Sequence, residues 1–373
     1  MTGGRATTGT NETSAADRLL GALAAHGIDY FLANPGTDFA PVIESFARAA
    51  EQGTAVPRPM LVPHENTAVS MAHGIYMVSG RPQAVMVHTS VGTGNTLNTL
   101  INASRDNVPL LLLAGRTPIS EAAGVEGARN RYIHWAQEMY DQAGMVRELV
   151  KWDYELRLPD EVDTVVERAL EIAMTPPRGP VYLTLPREVL AMAAARAAEP
   201  ARRRAVATPA YPDAEAIATL AQWLAAAQRP LIITANAGRS AAGAAALARL
   251  AERFALPVVA FNARYLALPN DHPMHQGFQP RPLLDDADLV IVLDCDVPWI
   301  PSAEGPKPGA RIVHIGEDPC FSRYPIRSFP ADLSIAADVP AALAAVEGAL
   351  AAGMPESAAV AARRRTSRAV ARR

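Results

Sequence analysis

Two hydrophobic rhythms alternate along this chain. From Ser14 to Gly27, in SAADRLLGALAAHG, apolar residues recur at helical spacing, with a serine placed to cap the first turn and a glycine to stop the last. Short apolar runs follow, DYFLA, MLV, AVMVH, PLLLLAG and VYLTL, and between them lie patterned segments of helix length from Phe39 to Ala50, Glu65 to Ser79 and Thr96 to Arg105. Strand alternating with helix predicts a parallel sheet covered on both faces. The rhythm breaks over residues 191–211, a stretch rich in alanine, arginine and proline that suits a surface linker. It then resumes with a helix from Asp213 to Ala227, the run PLIITA, a helix from Ala241 to Phe254, the runs PVVAF, DLVIVLD and RIVHIG, and a last alanine-rich helix. The fold class expected is therefore α/β, with two open, mostly parallel-sheet domains at 14–190 and 212–347. A flexible N-terminus, 1–13, precedes them and a basic connector-like tail, 348–373, follows.

Composition narrows the function classes. A chain of 373 residues can hold two cores. With 49% hydrophobic and 20% charged residues and a formal net charge of -3, it has a soluble globular balance and no overall bias toward nucleic acid. Cys295 and Cys320 stand in no metal-ligand spacing, and no run approaches the ~20 apolar residues of a membrane span. A reducing cytoplasm, with no membrane partner, is the expected setting.

In open parallel sheets ligands bind beyond the carboxyl ends of the strands. Four segments meet that condition: ANPGTDF (33–39), PHEN (63–66), HTSVGTGN (88–95) and AGRTP (114–118). The glycines of VGTGN could let backbone approach an anion, yet they lack both a dinucleotide fingerprint and a phosphate-loop lysine. Glu65 alone reads as a first-turn carboxylate favoured by its helix dipole, and His64, His73 and His88 as ordinary polar packing residues.

In combination these stretches say more. NPGT, PHENTAVSMAHGIYMVSGRP, HTSVGTGNTLNTLINASRDNVPLLLLAGRTP and GPVYLTLPREVL occur in one order, followed by ALPNDHPMHQG and DADLVIVLD. The set resembles the thiamine diphosphate enzymes related to acetolactate synthase and benzoylformate decarboxylase, across their pyrimidine-binding and middle domains. The resemblance implies that Glu65 hydrogen-bonds N1′ of the cofactor's aminopyrimidine and promotes the tautomer that activates the thiazolium carbon. It implies that His88 contacts substrate and moves protons, and that Thr37 stands where the benzoylformate decarboxylase branch binds a substrate carboxylate through a serine hydroxyl. Pro35, Gly36, Gly92, Thr93, Gly94 and Asn95 would line the cofactor side, the last four as a close-approach loop. A second histidine of that branch has no counterpart in DVPWIPS, which offers Trp299 and Pro301 instead.

Complete members of the family carry a third domain whose GDG motif binds magnesium and the cofactor's diphosphate, and no GDG occurs here. The implied partner is a second subunit carrying that domain and its Mg2+, in a homo- or hetero-oligomer acting on a small 2-oxo acid. An acetolactate synthase-like condensing subunit, a non-catalytic regulatory remnant and a truncated product are the alternatives. FAD in the middle domain gains little support, because ITANAGRS lacks a phosphate-cradling loop and its Asn236 and Arg239 suit a turn. The tail arginines, Arg363 to Arg365, Arg368, Arg372 and Arg373, suit a solvated linker or a docking surface for the missing domain.

Overall fold

The structure, a computed structural model, describes residues 13–194, 205–353 and 360–364. The chain divides into two compact units, residues 1–207 and 208–373.

Unit 1 runs α1 (Ala15–Ala25), β1 (Tyr30–Asn34), α2 (Ala40–Gln52), β2 (Arg58–Leu61), α3 (Glu65–Ser79), β3 (Ala84–Val87), α4 (Thr89–Arg105), β4 (Leu111–Arg116), α5 (Ile133–Ala136), β5 (Asp153–Glu155), α6 (Val162–Met174), β6 (Val181–Pro186) and α7 (Arg187–Ala191). Its six strands are all parallel, in the order β2-β1-β3-β4-β6-β5. Successive strand residues face opposite sides, so near-continuous apolar runs build two cores at once. Phe31, Met86, Leu111, Leu113 and Leu183 join α1, α2 and α6 on one side; Leu32, Val85, Val87, Leu112 and Tyr182 join α3 and α4 on the other. Ser14 caps α1 as predicted, in a reciprocal capping box with Asp17.

The apolar pattern misses β5 and α6. β5 is three half-buried residues at the sheet's edge, with no apolar run to announce it. It also starts α4 seven residues late. Helix begins at Thr89, with the Gly92 amide donating to the His88 carbonyl at 2.7 Å, so Gly92 to Asn95 form helical turns and not the expected loop. The two glycines weaken the helical signal, but packing of α4 on the sheet overrides that propensity.

Unit 2 runs α8 (Ala214–Ala226), β7 (Pro230–Thr234), α9 (Ala241–Phe254), β8 (Val258–Val259), α10 (Arg281–Leu284), β9 (Leu289–Leu293), β10 (Arg311–Gly316), β11 (Leu333–Ala336) and α11 (Val339–Gly353). Its parallel sheet has the order β11-β10-β9-β7-β8. In ITANAGRS, Asn236 donates to the Asp294 carbonyl and Arg239 lies 3.7 Å from the Asp294 carboxylate. Beyond β9, Asp296 accepts from Arg264 at 2.8 Å and from the Tyr324 hydroxyl at 2.7 Å. Burial alone would raise its pKa, but these hydrogen bonds outweigh burial and hold it down at about 2. A depressed carboxylate stabilises the fold above its ordinary pKa, and that contribution fades as pH falls toward the folded value. Unit 2 is therefore expected to lose roughly 2 kcal/mol between about pH 4 and pH 2. Urea midpoints followed across that range check this, and Asp296→Asn should remove the corresponding slope.

One expectation for the tail is corrected. Arg363, in a helical turn over residues 360–364, is only 3% exposed and donates to carbonyls at the ends of α8 and α9. It is part of the core of unit 2 and not a solvated linker residue. Arg365, Arg368, Arg372 and Arg373 lie outside the described residues.

Candidate active site

The chain of unit 1 passes from β1 outward to β2 and then returns across β1 to β3. Between β1 and β3 the winding reverses, which opens a crevice at the carboxyl end of the sheet. Strand register decides what meets there. Asn34 pairs with Val87, and Val87 with Ala114, so the chain leaves β1 and β3 at the level where Gly115 sits in β4. Asp38 and His88 thereby become neighbours across fifty residues of sequence.

Glu65 opens α3 directly beyond β2. His64 caps the helix, its Nδ1 accepting from the Asn66 amide, and Ala68, Val69, Ala72 and Tyr76 hold α3 against the sheet. Glu65 is pulled in with them and is 8% exposed. Asn95, one turn further along α4 than Val91, donates through Nδ2 to Glu65 Oε2 at 3.1 Å. The helix N-terminus and this amide fix a buried carboxylate in one orientation. Such a group can hydrogen-bond a ring nitrogen of a heteroaromatic ligand laid over the crevice, so the residues present fit an aminopyrimidine.

His88, half-buried, is the N-cap of α4, and its Nδ1 lies 2.6 Å from Asp38 Oδ1. That hydrogen bond raises the histidine's pKa; burial opposes it, while the Asp38 charge, the Gln137 side chain and the Glu65 charge add to it.

The remaining predicted residues divide. Gly36 packs on the His88 ring, where an added Cβ would overlap the imidazole. Pro35 and the Thr37 side chain are exposed beside it, and the Thr37 carbonyl accepts from Arg187 at 3.5 Å. Gly94 has open space around its Cβ position. Gly92 and Thr93 turn inward: Gly92 lies against Val87, and Thr93 bonds the Thr89 carbonyl at 2.7 Å and the Tyr182 hydroxyl at 2.9 Å. Sequence reasoning missed Asp38, Gly115 and Gln137. Asp38 alone left a signal, as a carboxylate set in the apolar run after NPGT. Among the described residues no group of three or more His, Cys, Asp or Glu is arranged to hold a metal ion.

Comparison with known proteins decides the family. The model of the thiamine pyrophosphate enzyme N-terminal TPP binding domain matches residues 13–145, and that of the thiamine pyrophosphate enzyme central domain matches residues 217–346. The chain belongs to the thiamine pyrophosphate enzyme family. Benzoylformate decarboxylase of Pseudomonas aeruginosa is 29% identical over 80% of this chain and 55% of its own length. Acetolactate synthase isozyme 1 large subunit of Escherichia coli is 28% identical over 84% and 55%. A solved Mycobacterium smegmatis protein, provisionally described as a thiamin diphosphate-dependent enzyme, superposes with a TM-score of 0.75 at 27% identity, covering 91% of this chain and 63% of its own. The chain thus spans about half the length of the curated relatives it matches, the half containing the N-terminal and central domains of the family.

Proposed function

We propose that unit 1 supplies the aminopyrimidine-binding half of a thiamine diphosphate site in a 2-oxo acid decarboxylase or carboligase. The observation carrying this reading is the buried Glu65 carboxylate, fixed by Asn95 at the carboxyl end of the parallel sheet that also carries the Asp38–His88 pair. Thiamine diphosphate, when bound, supplies a carbon nucleophile and an electron sink for loss of carbon dioxide. Glu65 would hold a proton at a ring nitrogen of the cofactor's aminopyrimidine, with Asn95 keeping its carboxylate in one orientation. His88 would give a proton to, or take one from, the reacting oxygen or carbon of the substrate, and the exposed Thr37 hydroxyl would meet its carboxylate. Open space over Gly94 leaves room for the cofactor or for a second chain beside Asn95. The Mg2+ and diphosphate contacts would come from a GDG-bearing domain, here proposed to be carried by a second chain. The acetolactate synthase likeness supports condensation as a second outcome, in which the decarboxylated donor would be joined to another carbonyl compound instead of being released.

The test is a screen of 2-oxo acids with this chain reconstituted with a GDG-bearing partner, thiamine diphosphate and Mg2+, reading carbon dioxide, aldehyde and ligation product. Cofactor-dependent turnover of at least one 2-oxo acid is expected. Cofactor binding without turnover of any of them would favour the non-catalytic alternative.

A further inference from the structure

Three costly features converge on one pair of side chains. Gly36 and Gly115 both have backbone conformations open to any residue, since neither has a positive φ. Their lack of a side chain is therefore a matter of space. A Cβ on Gly36 would overlap the His88 imidazole, and a Cβ on Gly115 would overlap the Asp38 carboxylate. The third feature is Thr89, a β-branched residue at φ 38, a conformation that such residues avoid. Its hydroxyl is buried without a hydrogen-bond partner, yet its amide reaches Asp38 Oδ2 at 3.4 Å. Two glycines, one strained threonine and a carboxylate only 2% exposed all serve to place Asp38 against His88 Nδ1 at 2.6 Å.

We propose that Asp38 is the positioning residue of this site, acting on substrate only through His88. By accepting from Nδ1–H, it keeps that proton on Nδ1 whether the ring is neutral or charged, so Nε2 is the nitrogen that gains and loses a proton during turnover. The arrangement makes His88 an acid-base group with one fixed tautomer, sharing its charge with a carboxylate hidden from solvent. The groups that act on the imidazole are Asp38 from the turn after β1, Glu65 from the start of α3, and the neutral Gln137 from the end of α5. This inference rests on the proposed role of His88, but the pairing itself is measurable without any cofactor.

The linkage sign follows from the direction of the shift. A histidine whose folded pKa is raised contributes stability that is fully present below its ordinary pKa near 6.5 and is lost as pH rises through the folded value. The experiment is an NMR titration of the His88 ring in the full chain, assigned with His88→Gln, for wild type, Asp38→Asn and Gly115→Ala. It is paired with pH profiles of kcat/KM in the reconstituted enzyme. Asp38→Asn is expected to move the His88 midpoint to lower pH, to shift the basic side of the profile with it, and to lower kcat about 10- to 100-fold with a smaller change in KM. Gly115→Ala should move the midpoint in the same direction. An unmoved midpoint in both variants overturns the pairing. A moved midpoint with an unmoved profile overturns the positioning role. Should Glu65→Gln and His88→Gln also leave activity intact, the reading of the site falls as well, whereas a silent Asp38→Asn beside an inactive His88→Gln removes this inference alone.

Discussion

Replacing Glu65 with glutamine is expected to slow exchange of the cofactor's thiazolium C2 proton, and turnover with it, by about 10²- to 10⁴-fold in the reconstituted enzyme. The substitution is nearly isosteric. Glutamine keeps an oxygen to accept from Asn95 Nδ2, so α3 and its contacts with the sheet should persist. What is lost is the carboxylate proposed to hold a proton at the cofactor's ring nitrogen. Exchange of the C2 proton, followed by NMR in deuterium oxide, separates this effect from substrate binding. A rate within about threefold of wild type would show that some other group activates the cofactor.

Replacing Arg363 with alanine is expected to destabilise unit 2 by about 3 kcal/mol. Helices α8 and α9 end with carbonyls that have no partner inside the helix, and a cation near those ends is favoured by the helix dipole. Arg363 answers both needs: its Nε and Nη2 donate to the Ala227 carbonyl, Nη2 also to Leu224, and Nη1 to Phe254. Burial lowers the pKa of the guanidinium, and its ties are to backbone oxygens. Alanine leaves three buried carbonyls unsatisfied and a void where the side chain ran. Urea unfolding followed by fluorescence of Trp223 and Trp299, both in unit 2, reads the loss as a lower midpoint. A midpoint unchanged from wild type would place Arg363 outside the core.

The legibility of this protein in its sequence depends on range. Helices whose signals are local, such as α1 with its Ser14 cap and α3 from Glu65 to Ser79, stand in the structure where the pattern puts them. Buried strands such as β4 and β9 are equally plain, because both faces must be apolar. The start of α4 is not, since Gly92 and Gly94 read as loop until the packing of Gly92 on Val87 is known. Asp38 shows the limit most clearly. Its meaning lies in His88, Thr89 and Gly115, which strand register brings together and no local spacing reveals. Arg363 fails for the same reason: in a run of arginines it reads as surface, while its partners lie more than a hundred residues earlier.

The central claim is that Glu65 and its neighbours form half of a cofactor site. Its most direct test is calorimetric titration of thiamine diphosphate and Mg2+ into the chain, alone and then mixed with a partner carrying the GDG-type domain. Metal-dependent binding in the mixture, weakened or absent for the chain alone, is the result predicted here. Tight, magnesium-dependent binding to the chain alone would contradict the proposal that a second chain completes the site, and no binding under either condition would contradict the site itself.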